Sequence, residues 1–224
     1  MTLIIVTATR DSQENFELNS ALAPSLAAVH QLTPLRLRLF GENQLPLSHC
    51  YNQAIEEANA DDVLMFVHDD VRLDDWMIGW RLQEALLHFD VVGVAGNRRR
   101  QAEQIIWTVL PYTQEWDRAE LSGAVRHGQT GSQSVTYFGQ TPSQVMLLDG
   151  VLIAARAGKL HEHDVRFDTR FDFHFYDLDF CRSANQGGLK IGTWPLAITH
   201  TSKGGFGSPD WHRNANEYLK KWGS

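Results

Sequence analysis

The run Val63-Leu64-Met65-Phe66-Val67-His68-Asp69-Asp70-Val71 turns from wholly apolar to strongly polar in one step. Val63 to Val67 is rich in β-formers and unbroken by polar residues, the pattern of a strand buried on both faces. It ends in one imidazole and two carboxylates. Ligands of open α/β sheets gather at the carboxyl ends of such strands. Carboxylate oxygens beside an imidazole suit Mg²⁺ or Mn²⁺, and either ion can hold a diphosphate. The plainer alternative is a polar turn in which Asp69 or Asp70 caps the next element. The tripeptide alone leaves both readings open.

The flanking sequence supplies the rest of a sheet. Thr2 to Thr7 reads as a first buried strand, and Thr7-Ala8-Thr9-Arg10-Asp11 as the loop at its carboxyl end. Asn15 to Val29 has helical spacing, with Phe16, Leu18, Leu22, Leu26 and Val29 as core positions. After Pro34, Leu35, Leu37 and Leu39 alternate with Arg36 and Arg38, which predicts a strand near a sheet edge or with one wet face. Gly41-Glu42-Asn43 ends it. Ser48 is expected to cap a helix through Tyr51, Ala54, Ile55 and Ala58. Beyond the central run, Asp74 or Asp75 is expected to cap a helix carrying Trp76, Met77, Trp80, Ala85, Leu86 and Phe89. Val91 to Ala95 is a further buried strand, closed by Gly96. This β-α-β-α-β-α-β order predicts an α/β fold with a mainly parallel central sheet flanked by helices.

Between Asn97 and Ser143 the pattern weakens. Arg98-Arg99-Arg100 reads as a solvated basic loop rather than a phosphate site. Ile105 to Leu110 is a candidate strand, and Gly123 to Ser134 reads as mobile, a place for lids and substrate loops. Order returns with Gln144 to Arg156, a long apolar run broken by Asp149-Gly150. A carboxylate among so many aliphatics must be paired, bulged out or facing a site. Gly150 lets a ligand or another backbone come close. Tyr176-Asp177-Leu178-Asp179 opens a short helix that stops near Gly187-Gly188. At spacing two, Asp177 and Asp179 do not share a face, so one faces a cleft and the other makes structural bonds. Leu189 to Trp194 and Leu196 to Thr199 are short strands around Pro195. His200 precedes the glycine-rich Thr201 to Gly207, and Asp210 to Trp222 forms a last helix.

Bulk properties narrow the class. With 224 residues the chain is long enough for one α/β domain with a sizeable core. A net charge of −7 argues against non-specific binding to nucleic acid or anionic membrane. Two cysteines, Cys50 and Cys181, with no C-x-x-C pair, argue against a thiolate zinc site and a disulfide framework. No signal-peptide pattern opens the chain, and no run approaches the ~18 apolar residues of a membrane span, so a soluble cytoplasmic protein with no integral membrane segment is expected. Seven tryptophans lean towards carbohydrate. Trp107, Trp116 and Trp194 are each either core or a sugar-stacking face. His30, His49, His88, His127, His161, His163 and His212 read as surface or structural residues. His174, three residues before Asp177, lines an acceptor site or packs between Phe173 and Phe175.

Four blocks, taken in order, carry a family resemblance: Phe66 to Val71, Leu148 to Ile153, Phe173 to Cys181, and Ile198-Thr199-His200. Over most of the chain, from Leu3 to about Trp222, they resemble the GT-A fold of nucleotide-sugar glycosyltransferases. The family 2-like enzymes are most similar, and among them a small subfamily typified by a streptomycin-biosynthesis glycosyltransferase. The resemblance implies a single GT-A domain over 1–224, with a nucleotide-binding half at 1–96 and an acceptor-binding half at 97–224. It implies that Asp70 is the principal metal ligand, joined by His68 and His200, with Mn²⁺ or Mg²⁺ as cofactor. Asp69 would lie near the donor ribose or sugar, and Asp177 would be the catalytic base of an inverting transfer. Asp149 and Gly150 would contact donor sugar and acceptor. Thr7, Thr9, Glu42 and Asn52 would line the nucleotide site. The implied partners are a nucleotide-sugar donor, UDP-linked ahead of GDP-linked, and a carbohydrate or lipid-linked acceptor. The family's base-recognising Asp after the second strand is replaced by Glu42-Asn43, and the first position of its metal motif is His68. These departures support a second reading, a non-catalytic GT-A-like module that binds nucleotide or sugar in a polysaccharide assembly. A nucleotidyltransferase would need a glycine-rich phosphate loop near the first strand, and none is present.

Overall fold

The computed structural model describes residues 2–129, 131–202 and 206–223. In chain order the elements are β1 (Leu3–Ala8), α1 (Gln13–Asn19), α2 (Ala23–Leu32), β2 (Leu35–Phe40), α3 (Leu47–Glu57), β3 (Val63–Val67), β4 (Val71–Leu73), α4 (Ile78–Ala85), β5 (Val91–Gly93) and β6 (Ala95–Asn97). They continue with β7 (Leu121–His127), β8 (Ser134–Gly139), β9 (Ser143–Gln144), β10 (Leu147–Leu148), β11 (Leu152–Arg156), α5 (Ala157–Glu162), α6 (Tyr176–Gln186), β12 (Ile191–Thr193), β13 (Ile198–His200) and α7 (Pro209–Trp222).

Two sheets share the core. The larger has the order β2-β1-β3-β11-β5-β12-β9, and the smaller runs β10-β6-β7-β13-β4 with β8 paired to β7. All five residues of β3 are buried, as its apolar run requires. β2 is the sheet's edge strand, and its alternating arginines stand on the wetter face. The larger sheet is mixed. β1 pairs in parallel with β2 and β3, and β5 with β12, but β11 lies antiparallel between β3 and β5. A parallel neighbour needs a long crossover. β11 instead enters from the turn at Asp149-Gly150 and runs against β3.

Several local expectations are corrected. The helix expected over Asn15–Val29 is two helices. Pro24 stands in the first turn of α2, where its missing N–H costs nothing, and Ser20 Oγ accepts from Ala23 N. Leu18 is therefore turned outward, at 72% exposure. Ser48 lies inside α3, which starts after Pro46, and its hydroxyl donates to the Phe171 carbonyl. No side chain caps α4, which starts at Ile78. Asp75 accepts from Met77 N, while Asp74 binds Thr199 and Arg72. Trp76, Met77 and Trp80 are exposed. The run Val91–Ala95 splits at Val94, with β5 in one sheet and β6 in the other. Ile105–Leu110 is not a strand; only Val109 makes a bridge, to Trp116. Gly123 to Ser134 contributes to a hairpin, with β7 and β8 paired from Gly123↔Gly139 to His127↔Ser134. Lys203, Gly204 and Gly205 of the glycine-rich stretch lie outside the described residues.

Candidate active site

The carboxyl end of β3 delivers His68, Asp69 and Asp70, and the end of β13 delivers His200. Two hydrogen bonds from Thr201, through its N–H and its Oγ1, to the Asp70 carbonyl tie these ends together. Among the described residues, His68, Asp70 and His200 form a group whose ligating atoms all lie within 4.8 Å of one another. His200 Nε2 is 3.3 Å from Asp70 Oδ2, and His68 Nδ1 is 4.0 Å from Asp70 Oδ1.

The protons in this cluster are set by its partners. Tyr176 donates its hydroxyl proton to the Gly150 carbonyl at 2.9 Å, so towards His68 Nε2, at 2.8 Å, it accepts. Nε2 then carries the imidazole proton and Nδ1 keeps its lone pair, turned towards Asp70. Burial keeps the His68 ring neutral by lowering its pKa. Asp70 Oδ1 is buried and has no hydrogen-bond partner. A lone pair and a bare carboxylate oxygen thus face each other with no proton between them, a donor set that fits a cation. Burial opposes ionisation of Asp70, but the His200 contact outweighs it and holds the carboxyl at about 2. For His200 burial again opposes the charged form, and Asp70 outweighs it, so its pKa is raised.

Two cavities adjoin here, and the cluster itself lines the smaller one. The larger, about 1120 Å³, is lined by Thr9, Arg10, Asp11, Glu42, Asn43 and Asp69, with Asp172 and Arg213 at another part of its wall. Its floor is pinned where Glu42 N and Asn43 N donate to the carbonyls of Asp11 and Thr9. Glu42 itself sits at φ 49°. The smaller cavity, about 390 Å³, contains His68, Asp70, Asp149, Gly150, Asp177 and His200 in its lining. Phe173 and His174 line both.

Asp177 stands in the first turn of α6. The residue before that helix, buried Phe175, adopts the left-handed conformation at φ 67°, a strained geometry for a bulky side chain. Asp177 Oδ2 accepts from Gly150 N at 2.9 Å. A Cβ at Gly150 would come within 2.4 Å of the Tyr176 hydroxyl and 2.9 Å of Asp177 Cβ, so only glycine fits this close approach. Burial, reinforced by the nearby Asp149 carboxylate, pushes the Asp177 carboxyl up to about 7. Asp149 is fixed by Val151 N on one oxygen and by the Trp107 indole N–H, at 3.1 Å, on the other. Asp179 faces away. It is fully buried against Lys221 Nζ and the Trp222 indole, each on Oδ1.

The residues anticipated from sequence therefore fall into three places. His68, Asp70, His200, Asp149, Gly150 and Asp177 share the smaller cavity, while Thr9, Glu42 and Asp69 share the larger. Thr7 and Asn52 line neither. Thr7 is buried in β1, and the Asn52 amide clamps the backbone of Phe167 by two hydrogen bonds. His127, read from sequence as surface or structural, and Trp107, read as core or a sugar-stacking face, also line the smaller cavity. His127 reaches the site because β7 lies in register beside β13, opposite His200. Trp107 comes from the weakly patterned segment, where periodicity carries no signal. His174 does line the cleft, and Trp107 and Trp194 are buried.

A His-Asp-His group able to hold a metal ion thus stands at the end of a central strand, near a cleft of about 1120 Å³, and shares the smaller cavity with a carboxyl raised to about 7. Residues 40–204 match the model described as "Glycosyltransferase like family", and the chain belongs to that family. S. aureus TarS 1–349 in complex with UDP is similar in structure, with TM-score 0.55 and 15% identity over 96% of this chain and 63% of that one. A second S. aureus TarS structure gives a TM-score of 0.54 and 15% identity over 99% of this chain and 40% of that one. The chain thus spans less than two thirds of the length of TarS. At these identities the likeness establishes the fold, which is of the GT-A class. No curated protein sequence matches the chain. Among the described residues no helix is long and apolar enough to cross a membrane.

Proposed function

We propose that this chain transfers a sugar from a nucleotide-diphosphate sugar, UDP-linked in preference to GDP-linked, to an acceptor hydroxyl, with inversion and with help from a divalent cation. The observation that carries the reading is the bare Asp70 oxygen facing the His68 lone pair beside the large cleft. His68, Asp70 and His200 would hold the ion, and two imidazoles favour Mn²⁺ over Mg²⁺. When bound, such an ion supplies charge neutralisation for a leaving diphosphate. Asp69, Thr9 and Glu42 would contact the nucleotide in the 1–96 half, and Asp149 and Gly150 the sugars in the 97–224 half. The TarS–UDP complex lends support to a UDP donor.

Asp177 then serves as general base. It takes the proton of the acceptor hydroxyl as that oxygen bonds to the anomeric carbon, and the bond from that carbon to the phosphate oxygen breaks to release the nucleoside diphosphate. A carboxyl near 7 is well matched to that task. Gly150 N keeps one oxygen aimed. NMR of the product's anomeric proton tests the stereochemistry: inversion is expected, and retention would overturn the single-displacement scheme. Asp177→Asn should lower turnover by at least about 100-fold while nucleotide affinity stays within about twofold. Equal loss of both would remove Asp177 from the base role.

A further inference from the structure

Two phenylalanines stand in solvent beside the candidate base. Phe173 is 51% exposed and Phe206 68%, and both line the 390 Å³ cavity that holds Asp149 and Asp177. Both rings rest against aromatic neighbours, and Phe173 also meets His174 edge-on at 5.2 Å. Phe173 stacks on His68 with centroids 5.7 Å apart and 26° between planes. Phe206 meets buried Trp211 edge-on at 6.4 Å. Single exposed apolar side chains are ordinary. Two aromatic rings opening on one carboxylate-bearing cavity are a binding surface with a definite chemistry.

The lining is apolar at Ile105, Ile106 and Trp107 and polar at Asp149, Asp177 and His127, and the polar part selects the occupant. An acyl chain would cover the rings but strip water from Asp149, Asp177 and His127 without replacing its hydrogen bonds, a heavy desolvation cost. A pyranose ring satisfies both kinds of wall. Its C–H face covers a phenyl ring, and its edge hydroxyls reach carboxylate and imidazole. We propose that Phe173 and Phe206 form an acceptor subsite for a pyranoside, so that the accepting hydroxyl belongs to a sugar. This rests on Asp177 being the base of a sugar transfer.

The test is ligand-observed saturation-transfer NMR on the full chain, with methyl α- and β-glucopyranoside and methyl α- and β-galactopyranoside as probes and hexanol as the aliphatic comparator. At least one glycoside should receive saturation at its ring C–H protons. That signal should fall at least fivefold in Phe206→Ala and Phe173→Ala and survive in Phe206→Tyr. Binding of hexanol alone, silence from all four glycosides, or unchanged signals in both alanine variants would overturn the subsite. Calorimetry with UDP and Mn²⁺ on the same samples keeps the two ideas apart. Glycoside binding without nucleotide binding would sink the transfer reading, and with it the acceptor role, and leave a pyranoside-binding surface at Phe173 and Phe206. Nucleotide binding without glycoside binding would sink the subsite and leave the transfer reading standing.

Discussion

The Tyr176 hydroxyl sets the tautomer of His68: it donates its proton to the Gly150 carbonyl and accepts from His68 Nε2 at 2.8 Å. The link joins the start of α6 to the end of β3, and through it the helix that carries Asp177 also orients a ring of the candidate metal group. Partners of this kind, one bond removed from an ion, typically contribute about 10–100-fold in affinity. Tyr176→Phe keeps the ring but removes the acceptor. It should weaken Mn²⁺ binding about tenfold, measured by calorimetry, with little change in the circular dichroism spectrum.

The rate should depend on pH through Asp177. Its active form is the carboxylate, and its carboxyl lies near 7. Turnover under saturating donor should therefore rise with pH and level off above about 8. A profile flat from pH 5 to 9 would show that another group takes the proton.

The same shift makes a stability prediction of definite sign. Asp177 is raised in the folded chain above its unfolded value near 4. The cost of ionising it is absent below about pH 4, grows between 4 and 7, and is complete above 7. Asp177→Asn should thus raise Tm at pH 8, by about 2–4 °C for each kcal/mol of ionisation cost removed, and leave it nearly unchanged at pH 4.

Lys221 holds α7 to the body of the protein. Its ammonium lies 2.7 Å from both Asp179 Oδ1 and Asp168 Oδ2. Lys221→Met leaves Asp179, which has no solvent exposure, with only the Trp222 indole. A loss of about 3 kcal/mol is expected in urea unfolding. The double variant with Asp179→Asn should recover much of it.

Asn52→Ala separates architecture from binding. Its amide is committed to Phe167 N and O, so the substitution should lower Tm while leaving nucleotide affinity within about twofold.

The sequence was most legible where one residue type had one physical outcome. Val63–Val67 read as a buried strand, and Asp149 amid aliphatics had to be paired, bulged out or facing a site; it is both paired and in the cavity wall. The two-residue spacing of Asp177 and Asp179 correctly sent them to different environments. What was missed depended on contacts between distant segments. His127 becomes a site residue only through its register with His200. The Asn97–Ser143 segment is organised by polar bonds: Asn97 Nδ2 to the Trp107 carbonyl, and Arg99 to the buried Asp117. Such bonds leave no periodic trace. Pro24 was a readable break signal inside the expected first helix. The direction of β11 was not readable, because the apolar pattern of a buried strand is the same in either orientation.

At the centre of the proposed chemistry, His68, Asp70 and His200 hold a cation that couples to nucleotide. Calorimetric titration of UDP and GDP into the wild-type chain and into Asp70→Ala, each with and without Mn²⁺, tests this most directly. The expected result is Mn²⁺-dependent binding to the wild type, tighter for UDP, and its loss in Asp70→Ala. Equal nucleotide affinity with and without Mn²⁺, or Mn²⁺-dependent binding that survives Asp70→Ala, would contradict it.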